Sequence, residues 1–264
     1  MRFPSALITM DNNPNLFDKY VRCVEDGYIT FSDFLDEREK SEALKAFSKA
    51  KDCRMIIYGK NENFERGMAV FVPSFLDLSD EGELSEFFKE NGGDPICCLF
   101  IGKDRFSSLK HRDYLGALMG MGIERKTIGD IVVGDSGAYV FVVERLKKYI
   151  LENLSSVGRG SVRVEEVENV SENSSPATEL VTTTVPSMRL DNVVSAAFKL
   201  SRAKAAQAVL DSTVFVNGIV IEKPDAKIAQ GDKIVLRKSG KAIVKNIVGK
   251  SKKDRFIVEI EKFV

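Results

Sequence analysis

The sequence predicts an α+β fold in three modules. These are an N-terminal α/β domain over residues 1–91, a central domain over 92–169 and, after a linker over 170–186, a C-terminal domain over 187–264. Three observations predict it. Strand-like and helix-like apolar patterns alternate along the first two modules. Near the C-terminus two short helical patterns run into an Asn-Gly turn between β-branched runs. Charge also divides at the linker: residues 187–264 hold 16 Lys+Arg against 8 Asp+Glu and residues 1–186 hold 23 against 31, although the chain as a whole is formally neutral. A basic end on an acidic body points to a polyanionic partner. Apolar residues make up 44% of the 264, enough for ordinary cores at this length.

In the first module, Asp36 stands where a helix N-cap belongs, with Glu37 and Glu39 in the first turn. Leu44, Phe47 and Ala50 continue the inner face of that helix. Residues 55–59 and 68–73 read as buried strands, joined over 62–66 by a helix or a loop. An acidic helix spans 79–91 and leaves through Gly92-Gly93. Glu25 and Asp26 are adjacent, so they do not face each other as a general acid–base pair would.

In the second module a strand over 96–101 leads to a helix over 110–121. Tyr114, Leu115, Leu118 and Met119 are expected on its inner side. Gly116 and Gly120 are expected to allow close backbone approach, and Gly122 to end the helix. Strands over 130–133 and 138–143 flank the turn Gly134-Asp135-Ser136-Gly137. A helix over 144–153 presents Leu146 and Ile150, and a strand closes the module over 158–167. This β-α-β-β-α-β order is that of a ferredoxin-like, RRM-like domain. No RNP1 aromatic box is present, so base stacking is not read from this region.

Several chemistries are disfavoured. The cysteines Cys23, Cys53, Cys97 and Cys98 form no CxxC pair, and His111 is the only histidine, so no metal site is expected. The thiols read as reduced and structural. His111 has no nucleophile partner, and local hydrogen bonding at a helix start is the preferred reading. No run reaches the ~18 apolar residues of a membrane span, and there is no signal peptide, so the expected location is cytoplasmic. No catalytic residue and no cofactor are predicted.

The linker is rich in Ser and Thr, with Pro176, and reads as a linker or an extended edge segment. In the third module Leu190, Val193, Val194, Ala197 and Phe198 form one apolar helix face. Ser201 is the N-cap of a second helix, Arg202 to Leu210. Asn217-Gly218 turns a hairpin, and Gly231-Asp232 opens a strand to Leu236. Strands follow over 242–264, with a basic turn at 250–255 that offers at most a sequence-independent phosphate contact. Cations stand at the helix starts and turns: Arg189, Arg202, Lys204, Lys223, Arg237 and Lys238. Helix starts present unpaired N–H groups to phosphate, and Arg adds a fork of donors. Asp191 is read as the residue that holds Arg189.

Arg189-Leu190-Asp191, Ser201-Arg202, Val214-Phe215-Val216-Asn217-Gly218 and Gly231-Asp232 resemble, in order, the RNA-binding module named from small-subunit ribosomal protein four, the S-four module. The module usually carries Gly where Ser212 stands, which implies a less tight turn. The segment from Leu109 to Gly120, with Ile123-Glu124-Arg125 and Ile128-Gly129-Asp130-Ile131, resembles the YlmH family of bacterial proteins, and the stretch from Tyr20 to Gly27 and Phe34-Leu35-Asp36 fit it too. The resemblance covers essentially the whole chain. It implies a central domain assigned to RNA binding and a C-terminal module that grips RNA through Arg189 and Arg202. Ser201, Lys204, Asn217, Lys223, Arg237 and Lys238 extend that contact, and Lys110 and Arg112 are secondary candidates. The implied role is a monomeric, non-enzymatic factor that binds ribosomal RNA and tRNA on the large ribosomal subunit during quality control of stalled nascent chains, with neither a membrane nor a small-molecule substrate. Three alternatives stand beside it: an RNA-modifying enzyme that docks through the module, a cell-division-linked interaction protein, and a scaffold using the acidic front. Against the enzyme, a pseudouridine synthase needs Gly-Arg-Leu-Asp and here Met188 precedes Arg189. A methyltransferase needs a Gly-rich loop after a strand, and Gly158-Arg159-Gly160 precedes one.

Overall fold

Helix α1 (Pro14–Asp26) buries Leu16, Tyr20 and Cys23, residues spaced by four and three, in one apolar cluster. After it come β1 (Thr30–Leu35), α2 (Glu37–Phe47), β2 (Cys53–Tyr58), β3 (Gly67–Pro73) and α3 (Glu81–Asn91). The structure is a computed structural model and describes residues 14–60, 64–104, 108–168 and 178–263. Helix α2 begins as expected. The Asp36 side chain accepts from the Glu39 N–H at 2.9 Å, and the Glu39 carboxylate accepts from the Asp36 N–H at 2.7 Å. Residues 62 and 63 of the expected 62–66 link lie outside the described residues, and Phe64 to Arg66 are not helical. Strands β1, β3 and β2 form an antiparallel sheet in that order, and β3 is buried at every position.

A second sheet follows: β4 (Ile96–Lys103), α4 (His111–Gly120), β5 (Ile128–Val133), β6 (Gly137–Val143), α5 (Lys147–Asn153), β7 (Ser156–Val157) and β8 (Gly160–Val167). Its order is β5-β6-β4-β8-β7, antiparallel throughout. The first four strands have the ferredoxin-like arrangement, two interlocked βαβ units. Residues Glu144–Leu146, expected within one helix, form a separate 3₁₀ turn before α5. One face of this sheet packs Leu99, Ile101 and Val140 under Tyr114, Leu118 and Ile150 of α4 and α5. On the other face, Ile96, Cys98, Phe141 and Val143 share a core with Ile56, Met68, Val70, Leu84 and Phe88 of the first sheet and α3. Arg66 ties the layers by donating to the carbonyls of Phe34 at 2.9 Å and Ile128 at 3.1 Å. The Asp130 carboxylate accepts the Glu65 and Arg66 N–H groups at 2.8 and 3.0 Å. Met1–Ser175 thus form one unit.

Two expectations for α4 are overturned. Met119, placed on the inner side, is 48% exposed, because Tyr114 and Leu118 already fill the buried face one turn apart. Gly116 and Gly120 allow no close packing: a Cβ at either would meet nothing within 4 Å.

Pro176–Val264 form the other unit. It contains β9 (Thr178–Val185), α6 (Leu190–Ala197), α7 (Arg202–Leu210), β10 (Val214–Val216), β11 (Ile219–Val220), β12 (Lys233–Leu236), β13 (Gly240–Lys250) and β14 (Phe256–Phe263). The sheet order is β11-β10-β12-β13-β14-β9. The C-terminal part of the expected linker is therefore an edge strand paired with β14 along its length. Leu190, Val193, Val194, Ala197 and Phe198 sit in a core with Ala205, Val209, Ile234, Val258 and Ile260. Asn217 and Gly218 have φ +51° and +78°, as a two-residue hairpin turn requires. Ser212 has φ +55°, so the turn does not loosen without glycine. The Ser212 hydroxyl donates to Glu222 at 2.8 Å, which helps to hold the left-handed conformation.

Candidate RNA-binding site

Helix α6 begins where Arg189, in extended conformation, turns into Leu190. Asp191, 3% exposed, lies in the first turn. Its carboxylate is fully engaged. Oδ1 accepts from Nε of Arg189 at 3.1 Å and from the Asn192 N–H at 2.9 Å, while Oδ2 accepts from Nη2 of Arg189 and from Nε of Arg202, each at 3.2 Å. One buried carboxylate therefore holds two guanidinium groups on neighbouring helices. The Arg189 and Arg202 side chains remain 40% and 60% exposed. Nη1 of Arg189 and both Nη atoms of Arg202 have no partner among the described residues, so donors face outward.

The electrostatics follow from this geometry. Burial pushes the Asp191 carboxyl up, but hydrogen bonds from Arg189 and Arg202, with their charges, outweigh it and hold the group below the usual carboxylate range. The Asp191 hydrogen bond raises Arg189 in turn, and Asp225 adds to that shift.

The helix starts differ, and here an expectation fails. At α6 the Leu190 and Asp191 N–H groups donate to the carbonyls of Ala226 and Pro224 at 2.8 and 2.9 Å. Those of Asn192 and Val193 reach the Arg189 carbonyl at 3.1 and 3.0 Å. The segment around Ala226 runs beside Arg189 as a strand-like bridge and closes that helix end, so α6 offers phosphate no free N–H. At α7 Ser201 caps the Lys204 N–H at 3.2 Å, and the N–H groups of Arg202 and Ala203 have no partner among the described residues. The open helix start is therefore the one that carries Arg202.

The remaining predicted residues are placed as follows. Lys204 is exposed in the first turn of α7, and Lys223 is exposed next to Pro224, whose carbonyl caps Asp191. Arg237 is exposed, but its N–H is tied to Thr213 beyond the far end of α7, about 13 Å of helix away from Arg202 at 1.5 Å per residue. Lys238, with φ +67°, follows it in the same turn. The Asn217 carboxamide is engaged internally: it donates to Asp232 at 2.8 Å and accepts the Lys233 N–H at 2.9 Å. Ser201 acts through its cap. Arg189, Arg202 and Lys204 thus border the α7 start; Lys223 lies between Glu222, which accepts from Ser212 past the end of α7, and Pro224 at the closed α6 start, and Arg237 and Lys238 lie past the far end of α7. The tie between Asp191 and Arg202 was not read from the sequence, since a contact across eleven residues between two helices leaves no periodic trace.

In the other unit, Lys110 is the N-cap of α4 and its N–H is held by Asp113 at 2.8 Å. Arg112 is exposed, 3.8 Å from Asp113. Desolvation of the ring and the nearby Arg125 charge hold His111 below the usual imidazole range. Burial pushes the Cys97 and Cys98 thiols up to about 12, far from a reactive thiolate. Among the described residues no cluster of three metal-ligating side chains occurs, and no helix is long and apolar enough to cross a membrane.

Comparison with known proteins gives four findings. Residues 100–171 match the family described as "Putative RNA-binding domain in YlmH". Residues 188–234 match the S4 domain. The chain is 31% identical over 248 residues to "Ribosome-associated protein quality control protein P2" of Bacillus subtilis (strain 168), covering 92% of this chain and 91% of that one. It is also similar to a solved structure, "Cell division protein ylmH from Streptococcus pneumoniae", at 20% identity and a TM-score of 0.46, over 63% of this chain and 94% of the other.

Proposed function

The chain belongs to the YlmH family of proteins with a C-terminal S4 domain, and from that premise we propose that it is a non-enzymatic factor that grips structured RNA on the large ribosomal subunit. The observation that carries the reading is the Asp191-bridged arginine pair at the open start of α7. A phosphate oxygen there meets two backbone N–H groups, the positive end of a helix dipole and outward guanidinium donors held in fixed orientation. Such a site reads backbone and shape, which suits folded ribosomal RNA and tRNA. The Bacillus subtilis relative is named for ribosome-associated quality control, and the same role is proposed for this chain, with peptidyl-tRNA on a stalled large subunit as the bound state. The alternative of an RNA-modifying enzyme has no observation in its favour. Of the two carboxylates in the module motif, Asp191 has its four acceptor positions filled by protein donors and is not placed to attack a base, and Asp232 accepts from the Asn217 amide and the Ala229 N–H.

The test is co-sedimentation of the full chain with large ribosomal subunits, followed by cryo-EM of the complex. The wild-type chain is expected to sediment with the subunit, and a folded Arg189→Ala plus Arg202→Ala chain to stay in the supernatant. Equal sedimentation of both would contradict the reading.

A further inference from the structure

Among the described residues, the face of the second sheet that points away from α4 and α5 is packed against the first sheet and α3 over only part of its length. Packing from the first sheet and α3 takes Ile96, Cys98, Phe141 and Val143 and reaches Tyr139. One step further along the central strands, Phe100 of β4 lies directly opposite Tyr139 of β6, with ring centroids 4.9 Å apart. Both rings are half-buried, on the two middle strands of the ferredoxin-like arrangement. The next pair outward is Gly102 opposite Gly137. A Cβ built at Gly137 would stand 2.9 Å from Cζ of Phe100 and 2.4 Å from the Ile101 carbonyl, and one at Gly102 would stand 3.3 Å from Cε1 of Phe100. The two glycines thus leave room for the Phe100 ring to lean along the sheet over them, where side chains would push it away, and the ring stands at 49° to that of Tyr139, so that the two form a tilted pair. On β8, Glu165 is opposite Phe100 and Arg163 is opposite Gly102, on the same face and both exposed. Among the described residues Arg163 has no carboxylate partner.

We propose that Phe100 and Tyr139, flanked by Arg163 and Glu165, form a stacking site for one or two bases of single-stranded RNA. The inference rests on the RNA-binding reading above and extends it to a second site in the other unit. A ring leaning along a sheet accepts any base by its π-face. Arg163 supplies a cation for the adjoining phosphate, and Glu165 is an acceptor for an exocyclic amine. Residues 1–186 are net acidic, which opposes a long backbone track and limits the site to a short, unpaired stretch held by stacking. Its binding should therefore fall little with salt, by no more than about one phosphate's slope, −0.7 in log–log terms for single strands.

The experiment uses the full chain and an eight-nucleotide uridine oligomer carrying 5-iodouridine, with photo-crosslinked peptides mapped by mass spectrometry and affinity measured by fluorescence anisotropy. The expected result is a crosslink at Phe100 or Tyr139, and about tenfold weaker binding for Phe100→Leu, the size of one lost stack. Arg163→Gln gives a smaller loss and flattens the salt dependence. Crosslinks confined to other peptides, or an unchanged affinity for a folded Phe100→Leu chain, overturn the proposal; if that variant does not fold, the wild-type crosslink map decides alone. So does displacement of the oligomer from these rings by no RNA but only by an apolar peptide. The Arg189→Ala plus Arg202→Ala chain should keep the crosslink at Phe100 or Tyr139. Loss of ribosome co-sedimentation by the wild type would sink the proposed function, whereas its retention with no crosslink at these rings sinks only this site.

Discussion

Nε of Arg202, at the start of α7, lies 3.2 Å from the Asp191 carboxylate of α6, the same group that holds Arg189. Two cations that would repel each other are thereby fixed side by side, and neither needs to be ordered again when RNA arrives. Freezing long side chains beforehand removes part of the ordering cost of binding.

The bridge makes a prediction whose sign separates geometry from charge. Asp191→Asn removes one negative charge next to the proposed phosphate position, so simple electrostatics predicts tighter RNA binding. Loss of the bridge predicts the reverse, because an amide offers one acceptor oxygen and turns donors towards the guanidinium groups. Binding to the ribosome is expected to weaken at least about fivefold, and the unit to lose roughly 1.5–3 kcal/mol, the range for hydrogen bonds to charged groups. Anisotropy titration and urea unfolding measure both, and tighter binding by the Asn chain would refute the bridge's role.

The depressed Asp191 carboxyl also sets a pH window. Its unfolded value is about 3.9, and the folded value lies below that. Between the two the unfolded chain binds more protons, so stability rises with pH there; the contribution is complete above about pH 4 and is lost as pH falls through the folded value. The stability gap between wild type and Asp191→Asn should be constant from pH 7 to about pH 4.5 and should narrow below that. A gap that stays level down to pH 2 would show that the charge is not what the bridge uses.

Arg202→Lys keeps the charge and removes the fork. An ammonium group meets Asp191 or a phosphate but cannot span both as Nε and the outer nitrogens do. RNA affinity is expected to drop about tenfold, with the log–log salt slope shallower by about one phosphate, 0.7–0.9. Wild-type affinity for the Lys chain would mean that charge alone suffices.

Much of this was legible in the sequence, for a physical reason. Caps and turns are local: Asp36 with Glu39, Ser201 with Lys204 and Asn217-Gly218 are each settled within four residues, and the structure has all three. The core face of α6 followed from its period. What escaped was non-local. The sequence of α6 gives no sign that the carbonyls of Pro224 and Ala226 close its start, since that depends on a loop some 35 residues later. The Phe100–Tyr139 pair escaped for the same reason: the aromatics are 39 residues apart and meet only through strand register. The glycines of α4 were misread because small residues are equally compatible with a tight contact and with an empty surface.

That empty surface yields the last prediction. Glycine within an exposed helix is less favourable than alanine by about 1 kcal/mol, through the freedom of the unfolded chain. Gly116 lies inside α4 and Gly120 is its last residue; neither has a left-handed φ, and each would place a new methyl where nothing stands within 4 Å. Gly116→Ala should therefore stabilise the chain by roughly 0.5–1 kcal/mol and Gly120→Ala by somewhat less, and because the two positions are neighbours one turn apart on the same helix face, the double variant is measured as a pair and not taken as a sum. Thermal melting should show an upward shift of a few degrees for the double variant. Gly137→Ala is the control with the opposite sign, because its methyl would stand 2.4 Å from the Ile101 carbonyl and force β4 and β6 apart. A double variant of α4 that melts lower than wild type would mean that the helix is packed against something after all, and the open face would have to be redrawn.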